Sequence, residues 1–177
     1  AETSLLRQAV LDNPDLAVAG RAFTQDWFGM VLPPGDSNFK NLVDASLQKL
    51  KQSGKYDELY KKWFGRTTTP YAVEVYPGQW PYTFADSPSV IDSPGRSKVE
   101  QMLLKKKLVV GIQYDAAPFG FLDGDGQLAG FDIDLAREFA SRWLGDAESI
   151  QPVRVSSQGS VELLASGELD ILFASLI

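Results

Sequence analysis

The chain contains neither cysteine nor histidine. It can therefore form no disulfide, no thiol nucleophile and no zinc site built from Cys and His ligands. A serine nucleophile that depends on a histidine base is excluded for the same reason. The lack of cysteine is compatible with an oxidising compartment. These absences remove several classes of hydrolase and redox enzyme from consideration.

Long apolar runs and basic stripes are also missing. No run approaches the roughly 20 apolar residues that a membrane-spanning helix needs. Acidic residues number 23 against 17 basic ones, for a net charge of −6, and the basic residues form no run longer than Lys105 to Lys107. We therefore expect no nucleic-acid partner. Ala1 leads directly into a polar helix start without the features of a signal peptide, so we expect a mature segment or a fragment.

The most informative stretch spans residues 108–134. Leu108 to Ile112 is an apolar run typical of a buried strand, and it gives way to a loop that includes Pro118. Open α/β sheets bind ligands beyond the carboxyl ends of their strands. We therefore predict a binding loop after Ile112, although solvated loop residues are the alternative for its polar positions. The polar and aromatic residues of this loop are Gln113, Tyr114, Asp115, Phe119 and Phe121.

Strands and helices alternate along the rest of this half. A tight turn is predicted before Gly130, and a helix with apolar residues at helical spacing runs from there to Gly145. A strand at Ile150 to Val155, a short helix from Ser160 and an apolar strand at Leu169 to Leu176 follow. The order β-α-β-α-β predicts an α/β fold with a mostly parallel sheet and right-handed crossovers.

The first 65 residues predict mainly helices. Apolar residues at helical spacing indicate an amphipathic helix from Asp36 or Ser37 to Gly54, and a shorter helix that ends at Gly65 packs against it as a hairpin. Two short apolar runs precede them, and we predict a strand at each. These runs are Leu16 to Ala19 and Phe28 to Leu32.

Residues 66–106 have the character of a linker that ends in a helix. Arg66 to Gly95 holds five of the ten prolines and no regular periodicity. Its five aromatic residues are too many for a freely solvated tether, so we expect part of it to lie against a folded surface. Ser97 caps a short helix whose buried face is predicted to be Val99, Met102 and Leu103.

Four aspartates after the loop raise the question of calcium. Gln127 stands at the third ligand position of a calcium loop, Leu128 at its glycine position and Asp134 in place of the final glutamate. A tight turn followed by a helix start explains the four residues, so we predict no metal and no cofactor. They are Asp123, Asp125, Asp132 and Asp134.

Several short motifs in residues 107–177 resemble the first half of polar amino-acid-binding proteins, the extracytoplasmic receptors of ABC importers (solute-binding protein family 3, type II periplasmic-binding fold). They are Val110-Gly111, D-x-x-P-F-x-F at Asp115 to Phe121, G-F-D-I-D at Gly130 to Asp134, Leu144-Gly145-Asp146, and L-x-S-G-x-L-D at Leu164 to Asp170. Residues 1–65 resemble the end of the same family. The matching segments are Leu16 to Phe23, Phe28-Gly29, Asn41-Leu42-Val43, Gly54-Lys55-Tyr56 and Trp63-Phe64-Gly65.

The two halves stand in reversed order, which implies either a tandem receptor cut between its repeats or a circularly permuted receptor. The resemblance implies a three-layer lobe whose mixed, mostly parallel sheet is flanked by helices. Residues 1–27 would be a remnant of lobe 2 with its crossover link, and residues 28–65 the C-terminal part of lobe 1. Residues 66–106 would be the linker, and residues 107–177 the N-terminal part of lobe 1.

The resemblance also implies a ligand-binding wall. Its predicted residues are Gln113, Asp115, Phe119, Ser157, Ala174 and Ser175. The arginine that clamps the ligand carboxylate in the family would follow Ile177, and the lobe 2 aspartate that holds the amino group would precede Ala1. Because both charged anchors are absent, one lobe is expected to bind poorly. Ser160 and Gln113 stand where relatives with acidic ligands carry basic residues, which argues against glutamate or aspartate.

The function implied is the amino-acid-binding component of an ABC transporter, located outside the cytoplasm, with no enzymatic activity. Its partners would be a small amino acid and an ABC permease. The alternatives are the ligand-sensing module of a membrane-bound sensor kinase and the non-catalytic module of a lytic transglycosylase. Self-association of the isolated lobe through its exposed cleft face is a further hypothesis.

Overall fold

The computed structural model describes residues 6, 9–10, 13–20, 29–65, 97–156 and 159–173. Residues 66–96 of the predicted linker lie outside this part. The helices are α1 (Ser37–Gln52), α2 (Lys55–Phe64), α3 (Lys98–Lys105), α4 (Phe131–Leu144) and α5 (Ser160–Ala165). The strands are β1 (Met30–Val31), β2 (Leu108–Ile112), β3 (Asp115–Ala116), β4 (Gly120–Leu122), β5 (Leu128–Ala129), β6 (Ile150–Arg154) and β7 (Ile171–Phe173).

The larger sheet has four strands in the order β1-β7-β2-β6. β2 pairs in parallel with both β6 and β7, whereas β1 pairs antiparallel with β7 through Met30 and Phe173. The edge strand β6 contains Pro152, opposite Val110. The fold class predicted from the sequence, a mixed and mostly parallel sheet flanked by helices, is confirmed.

Helices cover both faces of this sheet, because successive side chains of β2 point to opposite sides. Leu108, Val110 and Ile112 join a core on one face, with α1, α2 and α4 packed over it. Val109 joins a smaller core on the other face, together with Leu164 of α5 and Leu172 of β7. The result is a three-layer arrangement of helices, sheet and helix.

Helices α1 and α3 share one capping residue. Asp36 Oδ1 accepts the backbone N–H of Phe39 at the start of α1, at 2.9 Å. Asp36 Oδ2 accepts the backbone N–H of Lys98 at the start of α3, at 2.7 Å, and the Ser97 hydroxyl donates to the same carboxylate. Orphan N–H groups of two helices are therefore satisfied by one side chain.

The buried face of α3 differs from the sequence prediction. Met102 is buried as expected, but Leu103 is 51% exposed. Lys98 is buried instead, and its Nζ lies 3.0 Å from Asp170 Oδ1 and also donates to the backbone carbonyls of Gly167 and Leu169. The prediction for Leu103 was wrong because this ion pair and the Asp36 cap set the rotation of the helix.

The strand predicted at Leu16 to Ala19 is also wrong, since this segment is irregular and exposed. A strand is stable only when a neighbour satisfies its backbone groups, and none of the residues that the structure describes pairs with this segment.

Within the same described ranges, no helix combines the length and apolarity needed to cross a membrane.

Candidate functional site

Parallel strands β2, β6 and β7 end at the same edge of the sheet. Ile112, the last residue of β2, lies opposite Arg154 of β6 and Phe173 of β7. The residues that follow these strand ends therefore meet at one edge, which is where open α/β sheets bind ligands. Gln113 and Ser156 lie at this edge of the described chain.

Tyr114 and Arg154 face each other at the edge. The Arg154 guanidinium carbon lies 5.8 Å from the centroid of the Tyr114 ring, within the range of a cation–π contact. Neither the Gln113 nor the Asp115 side chain forms a hydrogen bond or an ion pair within the described part of the chain, and Asp115 is exposed. An amide, a carboxylate and a guanidinium are therefore available for a polar solute.

The predicted binding loop is in part a small antiparallel sheet. Asp115 pairs with Phe121 across β3 and β4, and Phe121 pairs with Ala129 of β5. Each strand has only two or three residues, too few for a period to be read from the sequence. The hairpin fixes Asp115 in an extended backbone beside the end of β2.

The N-terminus of α4 holds the tip of this hairpin in place. The backbone N–H groups of Phe131 and Asp132 donate to the carbonyls of Pro118 and Phe119, each at 2.9 Å. Gly130 has a φ of 132°, and a Cβ at this position would collide with the Phe119 carbonyl. The close approach of helix and loop therefore requires glycine.

Phe119 belongs to an aromatic cluster between the loop and α2. Its ring packs edge-on against Phe64, with 5.2 Å between centroids, and Phe64 also contacts Phe131. Trp63 contacts Phe121 in the same way, at 5.8 Å. Phe119 is only partly buried by these contacts. The cluster links the C-terminal helix of the first half to the predicted binding loop of the second.

Two of the acidic residues after the loop, Asp123 and Asp134, have structural partners. Asp123 Oδ1 accepts the backbone N–H groups of Asp125 and Gln127, which closes the tight turn. Asp134 Oδ2 accepts from Lys62 Nζ and Trp63 Nε1, each at 2.7 Å. Burial raises the pKa of Asp132, in the first turn of α4, to about 7. Their positions match the predicted turn and helix start.

Three of the predicted wall residues, Ser157, Ala174 and Ser175, lie outside the described residues. Gln113, Asp115 and Phe119 are brought to one end of the sheet, and their role in binding stays a prediction. The short helix predicted from Ser160 is α5, and Gly159, with a φ of 84°, occupies its N-cap position. The Ser160 hydroxyl is buried and has no hydrogen-bond partner within the described ranges.

Sequence reasoning missed Arg154. A signal was present, since Arg154 is a charged residue near the carboxyl end of the strand predicted at Ile150 to Val155. Its relation to Tyr114 depends on the register of β6 against β2, which places Arg154 opposite Ile112. That register cannot be read from one strand alone.

Comparison with protein families identifies the chain. The family model for bacterial extracellular solute-binding proteins, family 3, matches residues 5–66 and 108–177, together about three quarters of the chain. The chain belongs to this family. The family predicted from the sequence motifs is thereby confirmed, and the two matched segments are separated by the predicted linker.

Individual relatives match only part of this family 3 chain. A glutamine-binding protein of Geobacillus stearothermophilus is 34% identical over 85 residues, which cover 48% of this chain and 32% of the relative. A putative ABC transporter arginine-binding protein of Escherichia coli is 31% identical over 68 residues, which cover 36% of this chain and 28% of the relative. The chain thus spans about a third of the length of these proteins.

One solved structure also matches part of the chain. The cysteine-binding protein of Campylobacter jejuni is 33% identical to the chain with a TM-score of 0.42, and the match covers 43% of this chain and 31% of the other.

Proposed function

We propose that this chain is part of the amino-acid-binding component of an ABC importer, acting outside the cytoplasm. The observation that carries the proposal is the clustering of Gln113, Tyr114 and Arg154 at the edge where parallel strands end. Family membership supports a solute of small size. The relatives named for glutamine and arginine support an amino acid as that solute.

The chemistry of the edge suits binding. An α-amino acid carries a carboxylate and an ammonium group, and both need charge-assisted hydrogen bonds in a site that excludes water. Arg154 offers donors for a carboxylate, whereas Asp115 offers acceptors for a cation and Gln113 offers both. These groups lie on one open edge, so a second lobe must close over them before the ligand is desolvated.

We infer a binding role in preference to catalysis. The family is named for solute binding, and the side chains at the edge act by hydrogen bonding and charge. The relatives named as transporter components favour the importer over the sensor-kinase and transglycosylase alternatives. Self-association through the open edge stays a prediction, which analytical ultracentrifugation of the 177-residue chain would test.

An NMR titration tests the proposed site directly. Glutamine, arginine and cysteine are added separately to the uniformly ¹⁵N-labelled chain, and the amide shifts are mapped. We expect weak, saturable shifts centred on Gln113, Tyr114 and Arg154. Saturable shifts that centre on another face would overturn the proposed site, whereas shifts that are absent for all three amino acids would show that this part of the protein does not bind them without a second lobe.

A variant pair sharpens the test. Gln113→Ala should weaken the response, whereas Gln127→Ala, an exposed amide at the hairpin turn, should leave it unchanged. A thermal-shift measurement with the best ligand gives a second readout, because ligand at 100 times its Kd adds about 2.7 kcal/mol to stability. An equal loss in both variants would show that the amide of Gln113 has no special role.

A further inference from the structure

The C-terminal end of α3 exposes an apolar pair followed by a basic run. Leu103 and Leu104 are 51% and 65% exposed, more than any other large apolar side chain in the part of the chain that the structure describes. Three exposed lysines follow directly, and they are Lys105, Lys106 and Lys107. We refer to residues 103–107 as the α3 tip. Adjoining apolar side chains that stay in water beside three ammonium groups indicate a surface that binds a partner.

Buried contacts at the start of α3 keep the two leucines in solvent. Lys98 Nζ pairs with Asp170 Oδ1 at 3.0 Å, and the Lys98 backbone N–H donates to Asp36 Oδ2 at 2.7 Å. These contacts set the rotation of the helix and direct Met102 into the core, where it is 1% exposed. Leu104 lies two positions later, about 200° around the helix axis, and so faces away from the core.

The lysines of the α3 tip form no ion pair with any residue that the structure describes. Glu168 lines the same surface cavity as Lys105 and Lys107. Its carboxylate accepts instead from the Ser166 hydroxyl, at 2.9 Å. The tip therefore has a local positive charge on a chain whose net charge is −6. An anionic partner would be attracted to this end of α3 and repelled by the protein as a whole.

An anionic lipid surface matches both parts of the tip. Its headgroups attract lysines, and the boundary between headgroups and acyl chains accepts leucine side chains. An acidic protein would need an apolar pocket beside its carboxylates to match the leucines. The tip also lacks arginine, the residue suited to bidentate recognition of fixed carboxylates, whereas the flexible point charge of lysine suits mobile headgroups.

We propose that the α3 tip binds the surface of an anionic lipid membrane. Leu103 and Leu104 enter the headgroup region, and the three lysines lie among the headgroups. The tip directly precedes β2, whereas the candidate ligand site follows β2, a strand of five residues that spans about 16 Å. Membrane binding therefore leaves the ligand edge open to solvent. The inference concerns α3 and does not depend on the ligand site.

Flotation with lipid vesicles tests the proposal on the full 177-residue chain. Vesicles of phosphatidylcholine and phosphatidylglycerol in equal parts are compared with vesicles of phosphatidylcholine alone. We expect binding to the mixed vesicles only, and added salt should weaken it because salt screens the charges. No binding to the mixed vesicles, or equal binding to both kinds, would overturn the proposal.

A pair of double variants tests the role of the lysines. Lys105→Gln combined with Lys107→Gln should weaken binding to the mixed vesicles about 30-fold, because each lysine near an anionic surface contributes about fivefold. The matched control combines Lys51→Gln with Lys61→Gln, two exposed lysines of α1 and α2. This control makes the same change in net charge and should keep the affinity. Equal losses in the two double variants would contradict a role specific to the α3 tip.

A fluorescent label tests whether the leucines enter the lipid, and the absence of cysteine allows a single thiol to be labelled. An environment-sensitive fluorophore on Leu104→Cys should shift its emission to the blue when mixed vesicles are added. The same fluorophore on Leu122→Cys, an exposed leucine of β4, should show no shift. An unshifted label at position 104 on vesicle-bound protein would contradict insertion of the tip.

Poly-glutamate distinguishes the membrane from an acidic protein partner. Unlabelled chain is mixed with poly-glutamate in place of vesicles, and the complex is measured by sedimentation. We expect no complex at a salt concentration at which the mixed vesicles still bind. A complex with poly-glutamate and none with vesicles would assign the α3 tip to an acidic protein and overturn the proposal.

Discussion

Trp143 Nε1 donates a hydrogen bond of 2.8 Å to Ser46 Oγ, across a sequence separation of 97 residues. Ser46 is completely buried, and its hydroxyl in turn donates to the Leu42 carbonyl at 2.7 Å. The indole of α4 therefore contacts α1. Its N–H group can only donate, and it bonds to an acceptor in the core. This chain of two hydrogen bonds joins the first half of the protein to the second.

Replacing Ser46 with alanine should leave the indole N–H buried without an acceptor. An unsatisfied buried donor costs about 1 to 3 kcal/mol, so Ser46→Ala should lower the free energy of unfolding by that amount. Urea denaturation followed by circular dichroism measures it. Ser141→Ala, at an exposed position of α4, is the control and should change stability little. Equal midpoints for Ser46→Ala and the unaltered chain would contradict the role of the hydroxyl.

Asp36 should be more important than an ordinary helix cap, because it serves the N-termini of both α1 and α3. Loss of one cap costs about 0.5 to 2 kcal/mol, and Asp36→Ala should cost about twice that. Thermal unfolding gives the comparison with Asp44→Ala, which removes only a surface ion pair with Lys40. A cost no larger than that of Asp44→Ala would show that the shared cap adds nothing.

Gly130→Ala should destabilise the protein by about 3 kcal/mol or more, because it combines a strained φ with a collision against the Phe119 carbonyl. Gly145→Ala tests the effect of the strained φ alone. Gly145 also has a positive φ, 80°, but a Cβ there meets no atom within 4 Å. It should cost about 1 to 2 kcal/mol. Chemical denaturation measures the free energy of unfolding of both variants. If Gly145→Ala is not the more stable of the two, the steric argument is wrong.

The raised pKa of Asp132 predicts that the stability of the protein depends on pH. Burial raises its pKa from 3.8 to about 7 in the folded protein. Between these two values the folded state holds a proton that the unfolded state has released, so stability falls as pH rises through this window. At about 1.4 kcal/mol per pH unit, the total loss is up to about 4 kcal/mol, and it is complete above about pH 7.

The measurement is the free energy of unfolding in urea at several pH values between 4 and 8. Asp132→Asn should flatten the decline, because asparagine carries no titrating proton. Asp125→Asn, in the exposed turn, is the control and should keep the slope of the unaltered chain. A slope unchanged by Asp132→Asn would assign the pH dependence to other groups.

Much of the architecture could be predicted from the sequence, because α1, α4 and β2 are long enough for apolar periodicity to be read. The rotation of α3 could not, since Lys98 and Leu103 exchange their expected environments through contacts with Asp170 and Asp36. Those partners are more than 60 residues away along the chain. Side-chain periodicity within eight residues contains no information about them.

The candidate site could likewise be predicted from the sequence only in part. The position of Gln113 and Asp115 at a strand end could be predicted, because it depends only on where an apolar run stops. The contact between Tyr114 and Arg154 depends on the pairing of two strands about 40 residues apart in sequence. The hairpin that holds Asp115 is built from strands too short to show a period. Local signals thus locate the site, and long-range register completes it.

The two edge strands of the larger sheet affect how the protein behaves at high concentration. An exposed edge strand is a template for uncontrolled pairing with other molecules. Here β1 offers only two residues, and β6 contains Pro152. A proline is tolerated in a strand where its missing N–H faces away from the neighbour, so β6 lacks a donor that an added strand would need. Both ends of the sheet are therefore poor seeds for aggregation by strand addition.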